Sequence, residues 1–275
     1  MIVYRSMDRQ ALDAAYNNSA AVADSDRCLA DWQRRSEALR ARMPDHLDLV
    51  YGDAPRTRLD FFATNHTGAP TLLFFHGGYW QRNAKEGFSF IAEGPLARGF
   101  NVAVAGYTLA PEATMDGIVR EARTALHWLH QKVATLGGDP ARLHVSGWPA
   151  GGHLAAILMD EAAVAGGLAV SGLFDLEPIR LCYLNDKLGL DAEEARRNSP
   201  LLNLPARAAK LIIAYGADEL PELKRQSREF GAAWSTRGLP GDVIEVADCH
   251  HYAVLEQLAK PDGLLAKALA ATDRG

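Results

Sequence analysis

Leu143-His144-Val145-Ser146-Gly147-Trp148-Pro149-Ala150-Gly151-Gly152-His153-Leu154 is the stretch whose reading decides the fold. Its first residues read as a short apolar strand, the glycine-flanked centre as a tight turn, and the Ala/Leu-rich residues beyond as a helix. With serine at 149 the turn would be G-x-S-x-G, which sets a hydroxyl on a sharp strand-to-helix corner. The chain instead reads Gly147-Trp148-Pro149-Ala150-Gly151. Proline has neither a hydroxyl nor a backbone N–H, so it can neither attack a carbonyl nor donate a hydrogen bond. Taken alone, Pro149 suits the start of a helix, where the missing N–H has no intrahelical acceptor. It also pushes Trp148 toward an extended conformation.

Outward from this corner, strands and helices alternate. Strands are expected at 47–51, 58–63, 71–75, 101–107, 142–146, 167–171, 210–215 and 242–246, the first two pairing as a hairpin. From Thr71 onward they are short continuous apolar runs, the pattern of a parallel sheet covered on both faces. The clearest helix spans 115–136, with Met115, Ile118, Val119, Ala122, Leu126, Leu129 and Val133 on one stripe. Gly137, Gly138 and Pro140 end it. A helical leader occupies residues 1–46, its helix running from Asp26 to Arg42. Residues 176–208 show neither helix nor strand period, which suggests a lid-like insertion beside a site. The expected architecture is therefore one α/β domain over 1–275, a mostly parallel central sheet with helices on both faces.

Composition limits the partners. With 275 residues and a net charge of −5, acidic and basic residues interspersed, the chain suits a small-molecule substrate and neither nucleic acid nor an anionic membrane. Cys28, Cys182 and Cys249 are far apart and without CxxC spacing, so free thiols in a reducing compartment are expected. Met1 to Gln10 has no apolar core of a signal peptide, and no 18-residue apolar run follows, so a cytoplasmic location is expected. Oligomeric state stays open, a homodimer included. No metal or cofactor is expected: His127 and His130 lack further ligands, and Gly147 to Gly152 has neither G-x-G-x-x-G nor a P-loop Lys-Ser/Thr.

Chemistry-bearing residues gather at the C-terminal ends of the expected strands, where open α/β sheets place ligands. His76-Gly77-Gly78-Tyr79-Trp80 follows one strand, and its two glycines let backbone N–H groups turn toward a developing oxyanion. A second donor is the N–H of Ala150, just after the nucleophile position. In the chain order nucleophile, acid, base, Asp218 after the strand at 210–215 fits the acid and His251 after the last strand fits the base. His250 and Asp175 compete with them, and the later pair is preferred. Cys249 sits in the base loop and not at the corner, which disfavours a thiol nucleophile. Tyr79, Trp80 and Trp148 flank the oxyanion segments and are expected to line the pocket with aromatic faces.

The chain resembles the kynurenine formamidase (arylformamidase) family of α/β-hydrolases over nearly its whole length. The resemblance is carried by Leu12-Asp13-Ala14-Ala15-Tyr16-Asn17, His76-Gly77-Gly78-Tyr79-Trp80-Gln81-Arg82, Tyr107-Thr108-Leu109-Ala110-Pro111, the segment from Ser146 to Leu154, Asp218-Glu219 with Arg225-Gln226-Ser227, and His251-Tyr252. It implies the α/β-hydrolase fold, Asp218 as acid, and His251, directly before an aromatic residue, as base. It also implies a serine at 149, held at positive φ, which this chain lacks. The implied reaction is hydrolysis of N-formyl-kynurenine or of a small aromatic ester. Without the nucleophile the chain as written is expected to be inactive. The alternatives are a ligand-binding pseudoenzyme and a non-covalent enzyme using a His-Asp dyad.

Overall fold

The computed structural model describes residues 1–273. The chain opens with a two-stranded hairpin, β1 (Ile2–Tyr4) and β2 (Met7–Asp8), followed by α1 (Arg9–Ala15), α2 (Asn18–Ala21) and α3 (Ser25–Arg42). The central sheet is built from β3 (Leu49–Val50), β4 (Arg58–Phe62), β5 (Ala69–Phe75), β6 (Asn101–Ala105), β7 (Gly138–Gly147), β8 (Val164–Val170), β9 (Lys210–Gly216) and β10 (Gly241–Val246). Its spatial order is β10-β9-β8-β7-β5-β6-β4-β3. Strands β5 to β10 pair in parallel, and β3 and β4 add an antiparallel edge. All eight expected strands are present, with the expected first hairpin.

The apolar runs divide by strand period. Leu73, Phe75, Ala103 and Ala105 face one core, and Leu72, Phe74, Val102 and Val104 face the other. Helix α4 (Glu93–Ala97) lies on the second face beside α11 (Ala253–Ala259) and α12 (Leu264–Thr272), and α5 (Met115–Lys132), α6 (Ala150–Leu158) and α10 (Pro221–Thr236) lie on the first. Helix α3 completes that second face: Trp32 stacks on Phe90 at 4.8 Å, and Leu39 is buried beside them. The leader is thus a layer of the domain. Helix α5 is capped by the Thr114 hydroxyl, which accepts from the Gly117 N–H. Its last turn, Val133–Leu136, tightens to a 3-10 helix, and Gly137 stops it at φ +86°.

The insertion at 176–208 holds three short helices, α7 (Glu177–Leu181), α8 (Asn185–Leu188) and α9 (Ala192–Arg197). Their burial rests on Ile179, Leu184, Leu188 and Ala195, which join the first core. No helix among the described residues is long and apolar enough to cross a membrane.

Candidate active site

Strand register brings the two glycine-rich loops together. Phe75, the end of β5, pairs with Gly147, the end of β7, so the segments that leave them emerge side by side. The contact is intimate: a Cβ on Gly77 would stand 2.4 Å from the Trp148 carbonyl oxygen, and one on Gly151 would stand 1.8 Å from that of Phe75. Only glycine permits this approach.

Pro149 is the N-cap of α6, at φ −75° and ψ −33°. This is ordinary right-handed helical backbone, as the proline ring requires. Its carbonyl accepts from the His153 N–H at 3.1 Å. The N–H of Ala150 has no protein acceptor among the described residues.

In the neighbouring loop, the Gly77 carbonyl is gripped from one side by His76 Nδ1 at 2.8 Å and Asn83 Nδ2 at 3.1 Å. A trans peptide carries its C=O and N–H on opposite sides, so this grip turns the Gly78 N–H away from both. Gly78 itself adopts φ +119°. His76 is wholly buried and stacked on Tyr107 at 4.4 Å, and burial lowers its pKa to about 4. It is therefore neutral at pH 7, with Nδ1–H as the donor to Gly77.

His251 is 3 % exposed and its Nδ1 lies 2.8 Å from Glu219 Oε2. The other carboxylate oxygen of Glu219 accepts from the Ser171 hydroxyl at 2.5 Å and the Gly216 N–H at 2.7 Å. Asp218, the expected acid, is exposed, and its backbone N–H is spent on the Cys249 carbonyl at 3.1 Å. The reason is a turn: the Glu219 N–H closes onto the Gly216 carbonyl, which directs side chain 218 to solvent and 219 inward. Gly216 packs so tightly on the base loop that a Cβ would meet the Cys249 carbonyl oxygen at 2.0 Å. The competitors stand elsewhere: Asp175 accepts from the Tyr4 hydroxyl, and His250 receives the Tyr252 and Ala253 N–H groups.

Among the expected pocket aromatics, Trp148 packs against His251 with ring centres 4.6 Å apart and planes tilted by 33°, and donates from its indole N–H to the His251 carbonyl at 3.0 Å. Tyr79 also lines the pocket, its hydroxyl donating to the Tyr16 carbonyl at 2.7 Å. Trp80 does not line it. Its ring is fully buried edge-on against His153 at 4.9 Å, a core position on the far side of the loop.

The pocket at the corner encloses about 60 Å³ and is lined by Gly78, Tyr79, Arg82, Asn83, Trp148, Pro149, His251 and Tyr252 together with Asn18, Ser19 and Leu29. It joins the nucleophile position to the histidine. Asn18, Ser19 and Leu29 of the leader line it, and no residue of 176–208 does. Asn18 escaped the sequence reading: its Nδ2 lies 3.1 Å from His251 Nε2 and 2.9 Å from the Tyr79 hydroxyl. Away from the site, His127 pairs with Glu161 at 3.0 Å on the surface of α5.

Residues 59–165 match the BD-FAE family. Kynurenine formamidases of Danio rerio and Salmo salar are each 30% identical, the match covering 85% of this chain and 84% of the relative. A crystal structure of a candidate thioesterase from Silicibacter sp. tm1040 superimposes with a TM-score of 0.84 at 29% identity, over 96% of this chain and 99% of that one. The carboxylesterase EstE1, from a metagenomic library, shares the fold with a TM-score of 0.72 at 19% identity, over 93% and 99% of the two chains.

Proposed function

Because the chain belongs to the kynurenine formamidase family of α/β-hydrolases, we propose that its site is built to hydrolyse a formamide or ester of a small aromatic compound such as N-formyl-kynurenine, and that Pro149 disables it. The observation that carries this reading is the buried Glu219–His251 pair, held beside a strand-to-helix corner that lacks the hydroxyl and the strained backbone of a nucleophile elbow because proline stands at 149.

With serine at 149, His251 Nε2 would take the hydroxyl proton as the oxygen attacked the acyl carbon. Glu219 would hold the ring in the Nδ1–H form and stabilise the imidazolium. Backbone N–H groups of Gly78 and Ala150, with Gly77 setting the loop's path, would receive the oxyanion. His251 would then return the proton to the leaving amine or alcohol, and water would release the acyl group by the reverse sequence. Pro149 removes the attacking atom and relaxes the corner to helical backbone.

The test compares the native chain with P149S and P149A on aryl esters, formanilide and N-formyl-kynurenine, alongside a fluorophosphonate that labels active serines. P149S is expected to turn over and to be labelled. Loss of a triad nucleophile costs about 10⁶ in turnover, and the native chain should fall below P149A by up to about 10² if the Ala150 donor is misdirected. Labelling of the native chain, or turnover matching P149S, would assign the nucleophile elsewhere.

A further inference from the structure

The base is reached from the pocket side by an amide that the chain delivers from its far end. Asn18 Nδ2 contacts both His251 Nε2 and the Tyr79 oxygen, and Asn18 is 5 % exposed. Since Glu219 takes the Nδ1 proton, Nε2 carries the ring's lone pair, and the two amide hydrogens of Asn18 divide between it and Tyr79. The opposite amide orientation would set Oδ1 against that lone pair. Asn18 Oδ1 is left buried without a partner. The adjacent Ser19 hydroxyl lies 3.2 Å from that of Tyr252, so consecutive residues of α2 fasten to the base loop.

We propose that Asn18 is a positioning residue that occupies the working nitrogen of the base, so that water or a ligand reaches His251 only when the α2 segment moves aside. The pocket wall supports this. The pocket opens to solvent and holds only about 60 Å³ at the corner, and Asn18 and Ser19 form the wall that stands at the histidine. Trp148 is locked among Trp32, Phe88 and Tyr252, and His251 is held by Glu219. Asn18 and Ser19 belong to a four-residue helix fastened to the site by side-chain hydrogen bonds. The charged and titratable groups around the ring are Glu219 at Nδ1, Arg82 and Tyr252 in the pocket wall, Tyr79 behind Asn18, and Cys249 and the His250–Asp24 pair in and against its own loop. Among the described residues only Asn18 is within hydrogen-bond distance of Nε2.

The inference rests on His251 being the base, yet its test needs no turnover, so either can fail without the other. Diethyl pyrocarbonate acylates an imidazole through its free lone pair, releasing carbon dioxide and ethanol. Applied to the native chain, with His251 followed by peptide mass spectrometry against exposed His66 as reference, it reads the availability of Nε2 directly. N18A should raise the relative rate at His251 about fivefold, the worth of one net hydrogen bond. N18D should lower it, because a carboxylate at that place shares a proton with Nε2 and removes the lone pair. A loosened fold would speed both variants. Equal rates in N18A and the native chain, or acceleration in both variants, would overturn the proposal.

Discussion

The acid of the proposed site is the point at which adjacent residues can be told apart by experiment. In a P149S background, E219Q and D218N remove chemically similar charges one residue apart. Glu219 is buried with three donors on its two oxygens, from Ser171, Gly216 and His251. A glutamine there satisfies only part of that set. If its NH₂ faces His251, Nδ1 must become the acceptor and the proton moves to Nε2, where the ring can no longer act as a base; if its oxygen faces His251, the NH₂ meets the Gly216 N–H and the Ser171 hydroxyl. Either arrangement also loses the anion that stabilises the imidazolium. Losing the orienting carboxylate of such a triad costs about 10⁴ in turnover, so E219Q should lower kcat by about that factor with a small change in KM. Exposed Asp218 should behave as a surface residue, D218N staying within about twofold, since its rim charge is screened by solvent. The assay is steady-state hydrolysis of an aryl ester, with the acyl-enzyme burst measuring the fraction of competent sites. A large loss in D218N together with near-normal turnover in E219Q would refute the assignment.

Three further outcomes follow from the packing. Gly151→Ala drives a methyl to 1.8 Å from the Phe75 carbonyl oxygen, so a cost of about 3 kcal/mol is expected in urea unfolding, and a loss under about 0.5 kcal/mol would show that the corner yields easily. His76 and His153 are both held near pKa 4 by burial, below the ordinary 6.5; the unfolded chain therefore binds more protons between those values, and stability falls as pH drops from about 6.5 to 4. At pH 5 each histidine contributes a loss of roughly 2 kcal/mol, and H153F should flatten the curve by about that amount; an unchanged slope would contradict it. W80F in the P149S background should leave KM for aryl substrates within about twofold while lowering stability by about 1–2 kcal/mol, because the ring packs on His153 and not in the pocket. A large KM change with intact stability would return Trp80 to the substrate wall.

What the sequence made legible follows from how local each signal is. The parallel strands stand out because both their faces are buried, which fills them with Val, Leu, Ile and Phe. Helix α5 declares its end through Gly137, whose positive φ is the chemistry of a stop. Chain order points to the loop after β9 for the proposed acid, but which of Asp218 and Glu219 reaches His251 depends on a turn closed by the Gly216 carbonyl, which adjacent carboxylates do not reveal. Residues 176–208 lack periodicity because α7 to α9 are each under two turns, too short to show one. Strands β1 and β2 and helix α2 have four residues or fewer each. Asn18 had no signal at all: its partner is 233 residues away, and a single polar residue in a polar leader is indistinguishable from solvent-facing surface.

The same separation governs when the molecule can be completed during synthesis. Glu256 accepts from the Trp32 indole N–H at 2.6 Å and pairs with Arg35 at 2.9 Å, joining positions 224 and 221 residues apart. At about 5–20 residues per second, roughly 10–45 s pass between the emergence of α3 from the ribosome and that of α11. Through that interval the leader can pack on Phe88 and Phe90 but not on its final partners. Both ends of the polypeptide must therefore be translated before the pocket acquires its cover, and a nascent chain stopped short of α11 would present its indole-bearing helix to chaperones with one side still open.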